Sequence, residues 1–248
     1  MSAEQQDIKG PATRDDMSNH NRLRNASKLF DEWPEKYDRW FKTPIGTLVK
    51  KYEKDLLLDM LQPRSGETIL DVGCGTGIFT LDILSLGPRV IGLDISHPML
   101  LKAEQKTQGF PFWGLAGDML LLPFADECFD KVVSVTALEF IADGKRAVKE
   151  LFRVTKKGGI VVVTTLNSLS PWAARRQKAA DSGHSLFKQI IFRSPDDICA
   201  IAPVAGTVKT VIHFLKDDPP QAAPEIERDG QKRNLDTGAF LAARWVKP

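Results

Sequence analysis

The chain has 248 residues, 34 Lys+Arg against 32 Asp+Glu, a net charge of +2 and 42% hydrophobic residues. That is enough chain for one domain with a large core, and the near balance of charge argues against a general nucleic-acid substrate. Cys74, Cys128 and Cys199 are too few and too scattered for a disulfide framework or metal cluster, the polar N-terminus has no signal-peptide run, and no apolar stretch of about 18 residues is present to span a membrane; the expectation is a metal-free cytoplasmic protein.

Residues 1–26 hold almost no large apolar side chains, so burial there cannot offset ordering entropy and a mobile tail is expected. Phe30, Trp33, Tyr37, Trp40 and Phe41 recur at helical spacing, with Pro34 suited to a first turn. Thr43-Pro44 then caps a second helix that buries Leu48, Val49, Tyr52, Leu56, Leu57 and Met60 and stops before Pro63. Residues 27–62 thus read as an N-terminal helical lid and 63–248 as the main domain. From Glu67 strands and helices alternate. Strands are expected at Thr68–Val72, Arg89–Leu93, Phe112–Ala116, Lys131–Val135 and Gly159–Thr165. Helices are expected over Ile78–Leu86, Pro98–Lys106, Gly144–Val154 and Pro171–Gln189, with another start at Ser194-Pro195. Val208–Phe214 and Gly238–Trp245 read as two late strands flanking a polar loop, with no helix between them. The fold class that follows is α/β: a seven-stranded, mostly parallel, doubly wound sheet with an antiparallel edge pair.

The chemistry concentrates at strand ends. Asp71-Val72-Gly73-Cys74-Gly75-Thr76-Gly77 closes the first strand, where a doubly wound sheet places its ligands and glycines let a ligand approach the backbone. A dinucleotide fingerprint needs glycine where Ile78 stands, and the Asp71 carboxylate suits a cation better than a pyrophosphate. Asp94 ends the second strand about 20 residues later, the place of an acid that binds ribose hydroxyls. Asp118-Met119 follows the third strand, pairing an acceptor for a purine amino group with a thioether for its face. An ammonium, a ribose and an adenine without phosphate describe S-adenosylmethionine rather than NAD or ATP.

With Leu122-Pro123-Phe124 and Glu150-Leu151-Phe152-Arg153-Val154 ahead of Gly158-Gly159, these motifs resemble the class I S-adenosylmethionine-dependent methyltransferases, in particular the broad group that includes the ubiquinone/menaquinone C-methyltransferases. The resemblance spans roughly residues 30–165. It implies that Asp71, Gly73, Cys74 and Gly75 hold the methionine end of the cofactor, Asp94 the ribose, Ile95 and Met99 one side of the adenine, and Asp118 and Met119 the adenine itself. Thr136 would lie near the reacting methyl, and Tyr37-Asp38 would fold over the cofactor. Phe140 stands where relatives often carry a polar residue, and no catalytic residue is assigned.

Other residues have plainer expectations. Cys74 reads as a small group admitted beside a ligand, His97 as surface, and His184 and His213 as structural. Glu139 is the first acid after the fourth strand and is either a base or structural. The segment Asn167–Arg193, with Trp172, Arg175, Arg176 and Phe187, is either a wall of the acceptor site with arginines for an anion or a plain covering helix. The leading function is methyl transfer to a small-molecule acceptor of aromatic or quinone-like character. The alternatives are a non-catalytic cofactor-binding partner of the same fold and a nicotinamide oxidoreductase.

Overall fold

The computed structural model describes residues 30–183 and 186–248. The expectations of a tail over residues 1–26 and of a structural His184 lie outside the described residues. Two helices come first, α1 (Pro34–Trp40) and α2 (Pro44–Leu61), the second capped by Thr43, whose side chain accepts from the Gly46 amide. Seven strands follow: β1 (Thr68–Val72), β2 (Arg89–Asp94), β3 (Phe112–Ala116), β4 (Phe129–Val135), β5 (Thr155–Leu166), β6 (Thr207–Val211) and β7 (Phe240–Val246). The helices between them are α3 (Thr80–Leu84), α4 (His97–Lys106), α5 (Gly144–Val154), α6 (Pro171–Asp181), α7 (Pro195–Ala200) and α8 (Ala223–Lys232).

All seven strands form one sheet in the order β3-β2-β1-β4-β5-β7-β6. The first five pair in parallel, while β7 runs antiparallel to both β5 and β6. The expected mixed sheet with its antiparallel edge pair is therefore what the chain forms. Strand alternation sorts the core into two layers. Ile69, Val133, Val162 and Ala242 face one side, against Leu57, Leu61, Ile83 and Trp172. Their neighbours Leu70, Val132, Val161, Val163 and Leu241 face the other, against Val148, Leu151 and Ile198. Among the described residues no helix is long and apolar enough to cross a membrane.

Several elements differ from the sequence reading. The loop between β6 and β7 contains α8. The helix expected over Pro171–Gln189 stops at Asp181, followed by Gly183 in the left-handed region at φ +104°. The helix expected from Ile78 to Leu86 is reduced to Thr80–Leu84. β5 begins earlier, at Thr155, which pairs with Phe129 across an irregularity in register. Finally, α2 belongs to the core: Val49, Leu57 and Leu61 are buried, and the Met60 carbonyl accepts from Arg244 Nε at 3.0 Å. Of the described residues ahead of β1, α1 and the turn before it are the part that covers the strand ends.

His213 has the structural role expected of it. Its backbone N–H donates to Glu227 Oε2 at 2.7 Å, and its ring lies 3.3 Å from the same oxygen and 3.2 Å from the Leu235 carbonyl. A side chain at Gly230 would put its Cβ 2.3 Å from the imidazole, so α8 can only approach the ring through a glycine. Burial alone would lower the His213 pKa, but Glu227 and the Leu235 carbonyl outweigh it and the net shift is upward. Burial pushes Glu227 up, but contacts with His213 hold it below its ordinary value. The histidine contribution is complete below its unfolded pKa of about 6.5 and fades as pH rises through the raised folded value; the glutamate contribution is complete above about 4.3 and fades as pH falls through the lowered one. Glu227→Ala should therefore lower stability by about 1–3 kcal/mol, with the largest deficit between those two pH values. Urea denaturation across pH 4 to 8 measures this, and an equal deficit throughout would contradict the assignment.

Candidate active site

The carboxyl ends of β1, β2, β3 and β4 open into a cavity of about 730 Å³. Its floor is the turn after β1. Gly73, Gly75 and Gly77 all have positive φ, at +76°, +54° and +74°. A Cβ on Gly73 would fall 2.4 Å from that of Ala137, whereas one on Gly75 would meet nothing within 4 Å. The turn is therefore tight against the loop after β4 and open toward the cavity. Its amides are fixed from β2: Gly73 and Cys74 donate to the Leu93 carbonyl at 2.6 and 3.1 Å, and Gly75 donates to Asp94 Oδ2 at 2.8 Å. Cys74 is buried on the cavity wall, and burial, reinforced by Asp94 and Asp71, pushes its thiol well up, so it stays protonated and small.

Asp71 is 1% exposed. Its Oδ2 accepts from Thr80 Oγ1 at 2.6 Å, while Oδ1 is buried with no partner in the protein. Burial raises its pKa to about 7, Thr80 tempers the rise and Asp94 adds to it. An orphaned carboxylate oxygen on a cavity wall is a receptor for a multi-donor cation, and an amino-acid ammonium supplies such donors. Asp94 closes β2, with Oδ1 accepting from the Ser96 amide at 2.9 Å and Oδ2 from Gly75. It holds the turn through these amides and that of Ile95, yet its two oxygens together keep a lone pair with which to meet a ribose. Burial raises its pKa despite these amides. Ile95, Met99 and Met119 surround the next part of the cavity, with Asp118, whose Oδ1 accepts from the Leu120 amide at 2.9 Å. Thr136, at φ +47° after β4, bonds the Tyr37 hydroxyl reaching down from α1. The cavity thus brings together every residue that the sequence assigned to the cofactor except Asp38, which is turned onto Thr76 and Lys106, and its donor set fits an ammonium, a ribose and a flat base.

Beyond Thr136 the cavity becomes aromatic. Trp33 and Trp40 come from the N-terminal segment, and Phe30 meets Phe140 edge to face at 4.8 Å. From the opposite side α6 supplies Trp172, fixed by a 2.7 Å bond from its indole N–H to the Phe214 carbonyl. Besides the exposed Lys36, Arg175 and Lys216, three charged residues reach into the interior of this lobe. Glu53 on α2 and Glu139 after β4 are 6% and 2% exposed, and burial lifts them to about 8 and about 7 against the pull of Arg176. Arg176 on α6 stacks 5.3 Å from the Trp172 ring, and its Nη1 is buried without a hydrogen-bond partner. Arg175, its neighbour, is exposed and paired with Asp217. Glu53 went unread in the sequence, although it sits between Val49 and Leu56-Leu57 on the apolar stripe of α2, where a lone acid is a signal.

The N-terminal segment is latched down. Asp38 Oδ1 accepts from Thr76 Oγ1 at 2.7 Å and from Lys106 Nζ at 2.6 Å, Ser96 Oγ donates to Asp31 at 2.8 Å, and Lys102 pairs with Glu35 at 2.9 Å. All four contacts tie it to the glycine turn or to α4 and its cap, beside the strand-end acids.

Comparison with known proteins is consistent with this geometry. A family model described as a methyltransferase domain matches residues 70–163. The demethylmenaquinone methyltransferase of Thermobifida fusca is 30% identical over 192 residues, which cover 70% of this chain and 81% of the relative. The malonyl-[acyl-carrier protein] O-methyltransferase of Pectobacterium atrosepticum is 37% identical over 110 residues, covering 44% of this chain and 43% of that one. Among solved structures, an S-adenosylmethionine-dependent methyltransferase of Thermotoga maritima, described as a possible histamine N-methyltransferase, superposes with a TM-score of 0.66 at 23% identity, covering 90% of this chain and all of that one.

Proposed function

Because this chain belongs to the S-adenosylmethionine-dependent methyltransferases, we propose that it passes the cofactor's methyl group to a small, flat acceptor of aromatic or quinone-like character. The observation that carries this reading is the continuity of the cavity. Its polar end carries strand-end acids and an unpaired Asp71 oxygen, and its other end is walled by Phe30, Trp33, Trp40, Phe140 and Trp172. A flat apolar acceptor buries large area against such a wall at little entropic cost. The name of the Thermobifida relative points to an acceptor of quinone type, demethylmenaquinone, which supports the same class.

Asp71 would hold the ammonium, Gly73, Cys74 and Gly75 the rest of the methionine end, Asp94 the ribose, and Ile95, Met99, Asp118 and Met119 the adenine. When bound, the cofactor supplies an already activated sulfonium methyl. What the protein adds is alignment and dryness: Thr136 and Tyr37 would border the reacting centre, and the aromatic wall would exclude water from the nucleophile. The latched segment from Phe30 to Phe41 would open to admit ligands and close over them.

The test is calorimetric titration with S-adenosylhomocysteine, followed by transfer of labelled methyl to a panel of hydroxylated and quinoid bicyclic compounds. Dissociation constants of about 1–100 μM and label in an extractable product are expected. Folded protein that does not bind S-adenosylhomocysteine would overturn the reading.

A further inference from the structure

The acceptor lobe holds more charge than an aromatic compartment needs. Glu53, Glu139 and Arg176 come from three separate elements, α2, the turn after β4 and α6, and converge on the same cavity. Burying an acid costs several kcal/mol unless it is partnered, so three such groups facing one space call for an occupant. Arg176 is the most telling. Its ring-stacked guanidinium keeps Nη1 out of water and without an acceptor. The Glu139 main chain is fixed, its carbonyl accepting from the Ile191 amide at 2.8 Å, and its carboxylate is held by its own backbone amide and by a long 3.4 Å contact from Thr165 Oγ1, with no bond to Arg176. Arg193 nearby is spoken for by the Leu138 and Ile141 carbonyls at 2.9 and 2.7 Å, so it anchors the turn and leaves the acid to the cavity.

We propose that Glu139 and Arg176 are the acceptor-recognition pair, that they select a flat acceptor carrying a hydroxyl and a second oxygen, and that Glu139 takes the hydroxyl proton. The inference rests on the methyltransferase reading above. Arg176 Nη1 donates to the second oxygen. The O–H bond of the acceptor breaks and its proton goes to a Glu139 carboxylate oxygen. The electron pair left on the acceptor oxygen forms the new O–CH3 bond, the C–S bond breaks, and its pair stays on sulfur in S-adenosylhomocysteine. Burial holds Glu53 protonated at neutral pH, which leaves Glu139 as the acid able to take the proton. A base serves best when it titrates near the working pH, and burial sets Glu139 there. The charged or titratable groups facing it are Glu53 from α2, Tyr37 from α1, Arg176 from α6 and Arg193 before α7.

The probes are 2-naphthol and 2-methylnaphthalene, titrated into the S-adenosylhomocysteine-loaded protein and read by tryptophan fluorescence. Wild type should prefer the naphthol by at least tenfold, and Arg176→Met and Glu139→Gln should each cut that preference at least fivefold. Both variants should keep S-adenosylhomocysteine affinity within threefold, which shows that they are folded. In methyl transfer to the best hydroxylated bicyclic acceptor, kcat should rise through pH 7 in the wild type, and Glu139→Gln should lose that limb and at least a hundredfold in kcat, with KM moving less than tenfold. Equal binding of the two probes, an unaltered pH profile in Glu139→Gln, or methyl found only on carbon, nitrogen or sulfur would overturn the pair while leaving the methyltransferase reading intact. Loss of S-adenosylhomocysteine binding in the wild type would instead overturn the reading beneath it.

Discussion

Asp94→Ala should weaken S-adenosylhomocysteine binding by about 5- to 150-fold, the equivalent of about 1–3 kcal/mol for lost charged hydrogen bonds. Two effects combine in that figure. The substitution would remove a ribose partner, and it would also free the Gly75 and Ser96 amides that the carboxylate now holds at 2.8 and 2.9 Å. Gly75 lies in the turn that shapes the floor, so the variant would loosen the site as well as empty one contact. Asp94→Asn separates the two. Its amide oxygen can still accept from one backbone N–H, so the turn should survive better while the charge is lost, and affinity should fall less than in Asp94→Ala. Calorimetry on both variants, with melting curves to follow the turn, measures the split. Affinity unchanged in Asp94→Ala would remove the ribose role from this residue and leave it as a brace for the turn.

The strand ends were legible because their signals are local. An apolar run, an acid and a glycine within seven residues describe the turn after β1 without any knowledge of what packs on it, and the same holds for Asp94 and for Asp118-Met119. The residues that the sequence assigned to a cofactor therefore line one cavity. The parts that escaped depend on contacts distant in sequence. Helix α8 buries only Ala223, Glu227 and Gly230, too thin an apolar stripe to stand out, and it is held by a bond to His213 fourteen residues away. β5 starts early because Phe129 offers Thr155 a partner across a register irregularity, which no pattern within residues 155–159 encodes. Glu53 went unread, and Arg176 was left between a wall of the acceptor site and a plain covering helix; only the packing of α2 and α6 over the sheet turns them inward to the same space. The acceptor side was the harder half to read for that reason. Its residues are collected from elements far apart, whereas the cofactor side is written along consecutive strand ends.

Stability without ligand should decline from about pH 5 to pH 9, because three buried carboxyls keep their protons in the folded chain well above the pH at which an unfolded chain gives them up. Asp71 and Glu139 titrate at about 7 in the folded protein and Glu53 at about 8, against about 4 in an unfolded chain. A carboxyl whose folded pKa is raised contributes stability that is complete below its unfolded value and is lost as pH rises through the folded one. In that window the unfolded chain gives up these protons and the folded chain retains them. The acids with lowered values, such as Asp130 and Glu150, act at lower pH and do not reverse the trend. An ammonium placed against Asp71 Oδ1 changes the balance, since it favours the ionised carboxylate. Binding of S-adenosylhomocysteine should then tighten as pH rises through about 7 and release a proton below it, and the ligand-bound protein should lose less stability toward pH 8.5. Asp71→Asn should do the opposite on both counts: the free protein gains about 1–3 kcal/mol at pH 8.5, because a buried charge without a full set of partners is gone, and the ligand binds more weakly with no proton released through that carboxyl. Denaturant melts with and without ligand, and calorimetry in buffers of different ionisation enthalpy, measure both halves. A variant that is more stable at high pH and worse at binding is the signature of a carboxylate kept buried for a cation, because a purely structural Asp71 would lose stability and leave the proton balance of binding unchanged.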